Sequence, residues 1–321
     1  MTKYIFRRLA QMPVLLFGLI LILFLLIHAA PGDPLTALLG ETSPPAEYVA
    51  ELRQRLALDR SLPEQLGAYV LQIARGDLGY SFYYDQPVAH LILDRAGATF
   101  LLMFSALTLA TILGVVVGVF AAAHHGDWLD ELANLVALIG YSIPSFWLGQ
   151  LALLAFALTL PLFPVGGMRS VRVTYEGFAG ILDLLQHLVL PAFVLGMYYF
   201  AVCLRVTRAS VMETLTQAYM TTASAKGLTG RAALFGHGLP NALLPVITMT
   251  GLSAGFAVSG AAVIEVVFSW PGLGRLMLDA TEHRDYPVLM GIFIAVSISV
   301  ILFSFLTDIV YAKVDPRIRL R

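Results

Sequence analysis

Six long apolar stretches separated by polar segments dominate the chain: Leu9–Ala29, Gly97–Ala123, Leu132–Leu160, Leu184–Leu204, Asn241–Ile264 and Tyr286–Thr307. Each reaches the roughly 20 residues that a helix needs to cross the hydrocarbon core of a bilayer. None contains Asp, Glu, Lys or Arg. The pattern predicts an all-α membrane protein of six transmembrane helices. The third stretch stays uncharged to Met168 and is too long for one straight span; Pro161 and Pro164 end the predicted helix there, and Pro144 kinks it. The first stretch follows Lys3, Arg7 and Arg8 as a signal peptide would. It is long, however, and flows into Pro31-Gly32-Asp33-Pro34, so it reads as an uncleaved first helix.

The polar segments set the orientation. With the N-terminus inside, the inner segments 1–8, 124–131, 205–240 and 308–321 carry 11 Lys and Arg, and the outer ones carry 9. The outer segment Pro31–Arg95 exceeds 60 residues, and loops that long translocate largely regardless of charge. Without its interior the outer count falls to about five, which favours both termini inside. His124–Glu131 departs from the rule, having no Lys or Arg. Pro31–Arg95 holds nine acidic residues and five arginines. Its stretch 44–58 has helical spacing after a Pro-Pro start, and Gln65–Gly76 reads as a second short helix ended by Gly76. It is either a solvated extracytoplasmic cap on the bundle or a contact surface for a partner outside.

Composition agrees with lipid as the solvent. Hydrophobic residues make up 58% of the 321 positions and charged residues 13%, against about 25% charged in a soluble domain. A net charge of −1 implies neither nucleic acid nor a charged substrate. Cys203 is the one cysteine and reads as packing. The lysines, Lys3, Lys226 and Lys313, never follow a glycine, so no phosphate-cradling P-loop is present. Ionisable groups inside spans, the mark of proton- or ion-coupled carriers, are missing; His28 and His187 near span ends and His237 before the fifth span read as interfacial hydrogen-bonders. His124 and His125 are adjacent and share no helical face, which weakens a metal reading. No nucleophile–base pair or carboxylate pair suggests an enzyme, and the chain is expected to hold no cofactor and no metal.

The remaining candidate chemistry is a polar island, Tyr219–Pro240, between the fourth and fifth stretches. It is similar to the EAA loop of binding-protein-dependent ABC importer permeases, a pattern of E-A-A, three residues, Gly, nine residues and I-x-L-P. Thr221-Thr222-Ala223 stands at E-A-A, Gly227 at the glycine and His237-Gly238-Leu239-Pro240 at I-x-L-P. The spacing fits throughout; Thr221 and His237 depart from the pattern. Ala225-Lys226-Gly227-Leu228 resembles the dipeptide/oligopeptide/nickel branch, which often has a basic residue where Thr221 stands. So do Pro31–Pro34, Arg75–Phe82, Ser142–Gly149, Val263–Ala280 and the terminal Asp315–Arg319.

The resemblance covers essentially the whole chain and implies a permease subunit without catalysis of its own. Its partners would be a second homologous permease chain, two ATPase chains binding ATP and Mg, and an extracytoplasmic substrate-binding protein, in a bacterial-type inner membrane. The implied division is an N-terminal transmembrane helix at 1–30, an extracytoplasmic segment at 31–95, a permease core at 96–311 with its coupling loop at 217–240, and a cytoplasmic tail at 312–321. Thr221, Thr222, Ala223, Ala225, Lys226, Gly227, Leu228, Leu239 and Pro240 would form the ATPase-coupling loop. Helix starts at polar sites such as Thr222 fit that loop, and Gly227 suits a left-handed helix stop. Lys226 and Arg231 either face an acidic rim or are ordinary positive-inside residues. Pro240 falls in the first turn of the fifth span.

Phe268, Trp270, Pro271 and Gly272 are candidates for an outer gate. The run after Phe268 is too rich in Gly and Pro to continue the span and is expected to fold back as a short helix, Leu273–Glu282. Trp270 is either an interfacial belt aromatic or a gate residue. Gly114–Gly118 and Gly251–Gly255 have the spacing for close helix packing. The rival reading is a secondary transporter or channel working without an ATPase. Peptides, nickel chelates, glutathione, opines and sugars all remain open as cargo.

Overall fold

Apolar runs of this length can satisfy their backbone groups in lipid only by closing hydrogen bonds within a helix, and helices carry most of the described residues. The computed structural model describes residues 2–29, 47, 49 and 61–314. The predicted helix at 44–58 (apart from 47 and 49), Pro31–Pro34 and the Asp315–Arg319 motif lie outside the described residues. Five described helices are long and apolar enough to cross a membrane, or six if one bent pair counts as a single span. The chain divides into two units, Met1–Thr99 with Pro271–Leu302, and Phe100–Trp270 with Phe303–Arg321.

In the first unit, α1 (Thr2–Ala29) is followed by α2 (Leu62–Ala74). Ser61 opens α2 with a capping box: its backbone N–H donates to the Glu64 carboxylate (3.1 Å). Gly76 stops the chain after α2 at φ +80, as expected. The short strands β1 (Tyr80–Ser81) and β2 (Gln86–Pro87) pair antiparallel and lead into α3 (Val88–Ala123). The expected short helix is present as α10 (Leu273–Glu282), followed by α11 (Tyr286–Val314). Val88, Leu91 and Ile92 of α3, Leu276 and Ala280 of α10, and Val288 and Ile292 of α11 form one core. At its edge buried Ser81 donates its hydroxyl to buried Asp285. Burial pushes the Asp285 carboxyl above the usual range, against the opposing pull of the Ser81 hydroxyl.

The second unit contains the rest of α3, then α4 (Trp128–Ser142), α5 (Ser145–Ala152) running on into a π-helical segment Leu153–Thr159, the long α6 (Gly177–Leu215), the polar loop, α9 (Leu239–Val267) and the end of α11. Helix α6 is its most buried long helix, with 67% of its apolar window inside the fold, and packs against α4, α5 and α9. Gly114 and Gly118 let α3 approach it closely. A Cβ on Gly114 would lie 2.7 Å from the Cys203 Cβ, and one on Gly118 would lie 2.8 Å from the Leu204 carbonyl oxygen.

Two expectations are corrected. The third apolar stretch is not one kinked helix: α4 and α5 meet at 105°. Pro144 has no N–H for a helical bond, and it drives the residue before it out of the helical region; Ile143 sits at φ −77, ψ 126. The π-helical segment then ends at Thr159, just before Pro161, as expected. Nor are the helices free of charge. They outrun the apolar stretches at their ends and take in the buried Asp130, Asp183 and Glu265.

Candidate functional site

The polar island folds as two short helices around a tight stop. Helix α7 (Ala218–Ala225) begins after Gln217, not at Thr222. Thr222 lies inside α7, where its hydroxyl donates back to the Ala218 carbonyl (3.0 Å) and caps no N–H. The stop lies at Gly227, φ +86. Its N–H donates to the Ser224 carbonyl (3.0 Å), and the Leu228 N–H donates across five residues to the Ala223 carbonyl (3.3 Å). This pair of bonds closes a helix C-terminus with one left-handed residue.

The chain restarts at once. The Thr229 hydroxyl accepts from the Ala232 N–H (3.3 Å) and caps α8 (Gly230–Ala233). A π-helical segment, Leu234–Gly238, carries α8 into α9, so Gly230–Val267 is one helical run of 38 residues. Pro240 stands in the first turn of α9, as expected, while the helical path already begins upstream at Gly230. A proline in that position crowds the preceding turn, and the wider turn just before it accommodates the ring. The Asn241 side chain donates to the His237 carbonyl (2.8 Å).

The loop is a packed body with a polar skin. Met220, Ala223 and Ala233 form its buried centre, and Gly238 fits between Leu234, Thr214 and Met220. Thr221, Thr222, Ala225, Lys226, Gly227, Leu228 and Pro240 are exposed, while Leu239 is half-buried. Of the predicted loop residues, Ala223 points inward and Leu239 packs against the core of Ala122, Val211, Leu234 and Ala242. The others give a surface of small side chains, one ammonium group and the Leu228 side chain, available to a partner.

At the other end of α9 the chain turns at Ser269, φ +51. The Trp270 N–H donates to the Glu265 carbonyl (2.8 Å), and the Gly167 N–H donates to the Phe268 carbonyl (2.9 Å). Phe268 and Trp270 are 1% and 0% exposed, so Trp270 is a packed residue and not a belt aromatic facing lipid head groups. The boundary between the two units falls just after it: Phe268 and Trp270 belong to one unit, Pro271 and Gly272 to the other. Gly272 precedes α10, whose first N–H, from Leu273, donates to the Thr99 hydroxyl (2.8 Å).

One polar constellation was not anticipated. Arg208 on α6 grips Asp130 on α4 at two points, Nε to Oδ1 at 2.5 Å and Nη2 to Oδ2 at 2.7 Å. The Gly126 N–H and the Asn134 amide also donate to the carboxylate, both at 3.2 Å. His125 Nδ1 lies 3.2 Å from Asp130 Oδ2 and 3.1 Å from Arg208 Nη2; it donates to the first or accepts from the second, according to its tautomer. The absence of Lys and Arg in 124–131 was the available clue, since the cation balancing Asp130 had to come from another element.

Comparison with known proteins agrees with this geometry. Residues 114–320 match the family described as binding-protein-dependent transport system inner membrane component, and residues 1–103 match its N-terminal membrane component. The chain is 38% identical over 336 aligned positions to the dipeptide transport system permease protein of Escherichia coli strain K12, covering 99% of each chain. It is 37% identical over 319 positions to a glutathione transport system permease protein of Escherichia coli O6:H1, again over 99% of each. Among solved structures, a chain of the inward-facing MetNI methionine ABC transporter superposes with a TM-score of 0.57 at 17% identity, over 70% of this chain and 96% of that one; this likeness bears on the fold alone. The chain thus belongs to the binding-protein-dependent transport system inner membrane components, as a multi-pass permease subunit of an ABC importer.

Proposed function

We propose that this permease carries peptides or a similar small solute, and that the body at 217–240 is where an ATPase subunit docks. The observation that carries the docking reading is the fold of the loop. A buried centre of Met220, Ala223 and Ala233 and a closed stop at Gly227 make it a stiff knob, while Thr221, Thr222, Ala225, Lys226 and Leu228 remain exposed. A stiff knob in a groove moves with the groove as a rigid body, which is what transmission of ATP-driven closure requires. The peptide reading rests on the relatives, whose names include dipeptide and glutathione transport.

In this scheme the chain is non-catalytic, binds no cofactor or metal, and forms half of the translocation path with a second homologous permease. Two ATPase chains sit on the inner face, where both termini lie, and the binding protein delivers cargo outside. Closure of the ATPases on ATP rocks the helices from the inward- to the outward-facing arrangement. Phe268, Trp270, Pro271 and Gly272 then act as the outer gate. Specificity rests largely with the binding protein.

The test is affinity purification of the tagged chain from membranes, wild type beside Gly227→Pro, with mass spectrometry of the co-purifying chains. Two ATPase chains and a second permease with wild type, and loss of the ATPases alone in the variant, support the scheme. Transport by vesicles holding the chain without any ATPase would overturn it.

A further inference from the structure

Beside the Asp130–Arg208 pair, α4 and α6 leave an open cavity of about 440 Å³ lined by Asn134, Leu135, Leu138, Arg205 and Arg208. Its walls differ in chemistry. Arg205 and Arg208 lie three residues apart on α6 and so share one face. Leu135 and Leu138 on α4 are both about half exposed and supply an apolar side. Arg208 is held in place by its two-point contact with Asp130, and Asn134 steadies the same carboxylate. Arg205 is exposed, with its guanidinium carbon 5.6 Å from the centre of the Tyr141 ring.

Two guanidinium groups beside an apolar groove are complementary to an amphiphilic anion. Arg reads a phosphate with paired N–H donors, while the leucines offer nothing to a water-soluble anion. The position along the helices fits as well. Arg205 directly follows the apolar stretch Leu184–Leu204, the depth at which hydrocarbon gives way to head groups, and basic pockets between membrane helices hold anionic head groups. We propose that the cavity between α4 and α6 binds an anionic phospholipid, with its phosphate on Arg205 and Arg208 and an acyl chain along Leu135 and Leu138. The Asp130 clamp fixes one of the two phosphate donors before the lipid arrives. The site is independent of the cargo and of the docking of the ATPase.

The test is native mass spectrometry of the purified importer complex in detergent, titrated with phosphatidylglycerol, phosphatidylcholine or inorganic phosphate. Wild type is expected to retain phosphatidylglycerol in preference to phosphatidylcholine. Arg205→Gln is expected to bind phosphatidylglycerol about fivefold more weakly, the factor that one surface cation contributes, with phosphatidylcholine unaffected. Leu138→Trp, which fills the groove and leaves both arginines, is expected to lower phosphatidylglycerol binding too, and serves if the first variant fails to fold. Equal phosphatidylglycerol binding by wild type and both variants overturns the proposal. So does displacement of the lipid by equimolar inorganic phosphate, which marks a site for a free anion. Loss of the second permease chain from either variant, with lipid retained, also overturns it and makes the cavity a subunit contact.

Discussion

Substitution at Gly227 isolates conformation from contact. A Cβ built there meets nothing within 4 Å, so a side chain at this position causes no clash. What it does cause is strain, because φ is +86. The left-handed region costs an L-residue roughly 1–2 kcal/mol, less for Asn, and a β-branched residue is a marked outlier there. A penalty of about 1–2 kcal/mol lowers the population of the closed stop by a factor of about 5–30. Gly227→Pro goes further: the ring fixes φ near about −65 and removes the N–H that bonds Ser224. The assay is ATP hydrolysis by the reconstituted importer, with and without its binding protein, beside the amount of ATPase that co-purifies. Stimulation is expected to fall in the order Gly, Asn, Ala, Val, Pro, with the melting temperature of the membrane helices unchanged. Gly227→Val with full stimulation and full ATPase retention would refute the argument that a left-handed stop shapes the docking body.

Gly118→Ala would place a Cβ 2.7 Å from the Thr207 Cβ and 2.8 Å from the Leu204 carbonyl; overpacking of this kind costs about 1–3 kcal/mol, and the melting temperature of the purified complex should drop. For the buried pair, Arg208→Gln leaves the Asp130 carboxylate, 5% exposed, without its cation. Arg208 is itself 22% exposed and Gly126 and Asn134 still donate to the carboxylate, so a loss of about 1.5–3 kcal/mol is expected, and Asp130→Asn combined with Arg208→Gln should melt higher than Arg208→Gln alone. At Asp285 the sign follows from burial. Its folded value is raised, so the protonated form is favoured in the fold. The contribution is complete below the unfolded value of about 3.9 and is lost as pH rises through the folded value. Asp285→Asn, which cannot ionise, should keep that corner equally resistant to proteolysis across the window where wild type loosens.

The parts of this fold that were readable in advance are those decided by a single residue's backbone. Gly227 and Gly76 stop helices because few other residues accept positive φ, and the Gly- and Pro-rich turn after Phe268 forces the restart that gives α10. The unreadable parts are decided by what packs against what. Pro144 in an apolar run signals a weak point, but whether the helix kinks or breaks by 105° depends on neighbours far along the chain. Arg208 and Asp130 are separated by 78 positions, and Ser81 and Asp285 by 204, so no local pattern joins them. Asp183 and Glu265 lay just outside the apolar windows, and scanning for charge-free runs necessarily clipped the helices at the residues that turn out to be buried. Trp270 was ambiguous for a similar reason: an aromatic at the end of a span suits lipid head groups or a protein interior equally well, and only the tertiary fold distinguishes them.

The unbroken run from Gly230 to Val267 has a mechanical meaning. Its 38 residues at about 1.5 Å each make a helical path about 57 Å long, rooted in the polar loop beside Thr229 and ending one residue short of Phe268. A tilt of about 10° at the root sweeps the far tip through roughly 10 Å. If the loop docks an ATPase as proposed, force applied there travels along one covalent helix, without a relay of side-chain contacts. Pro245, inside that run, has no N–H for a helical bond, so it is the point along this helix where an applied tilt is spent in bending rather than carried on toward Phe268.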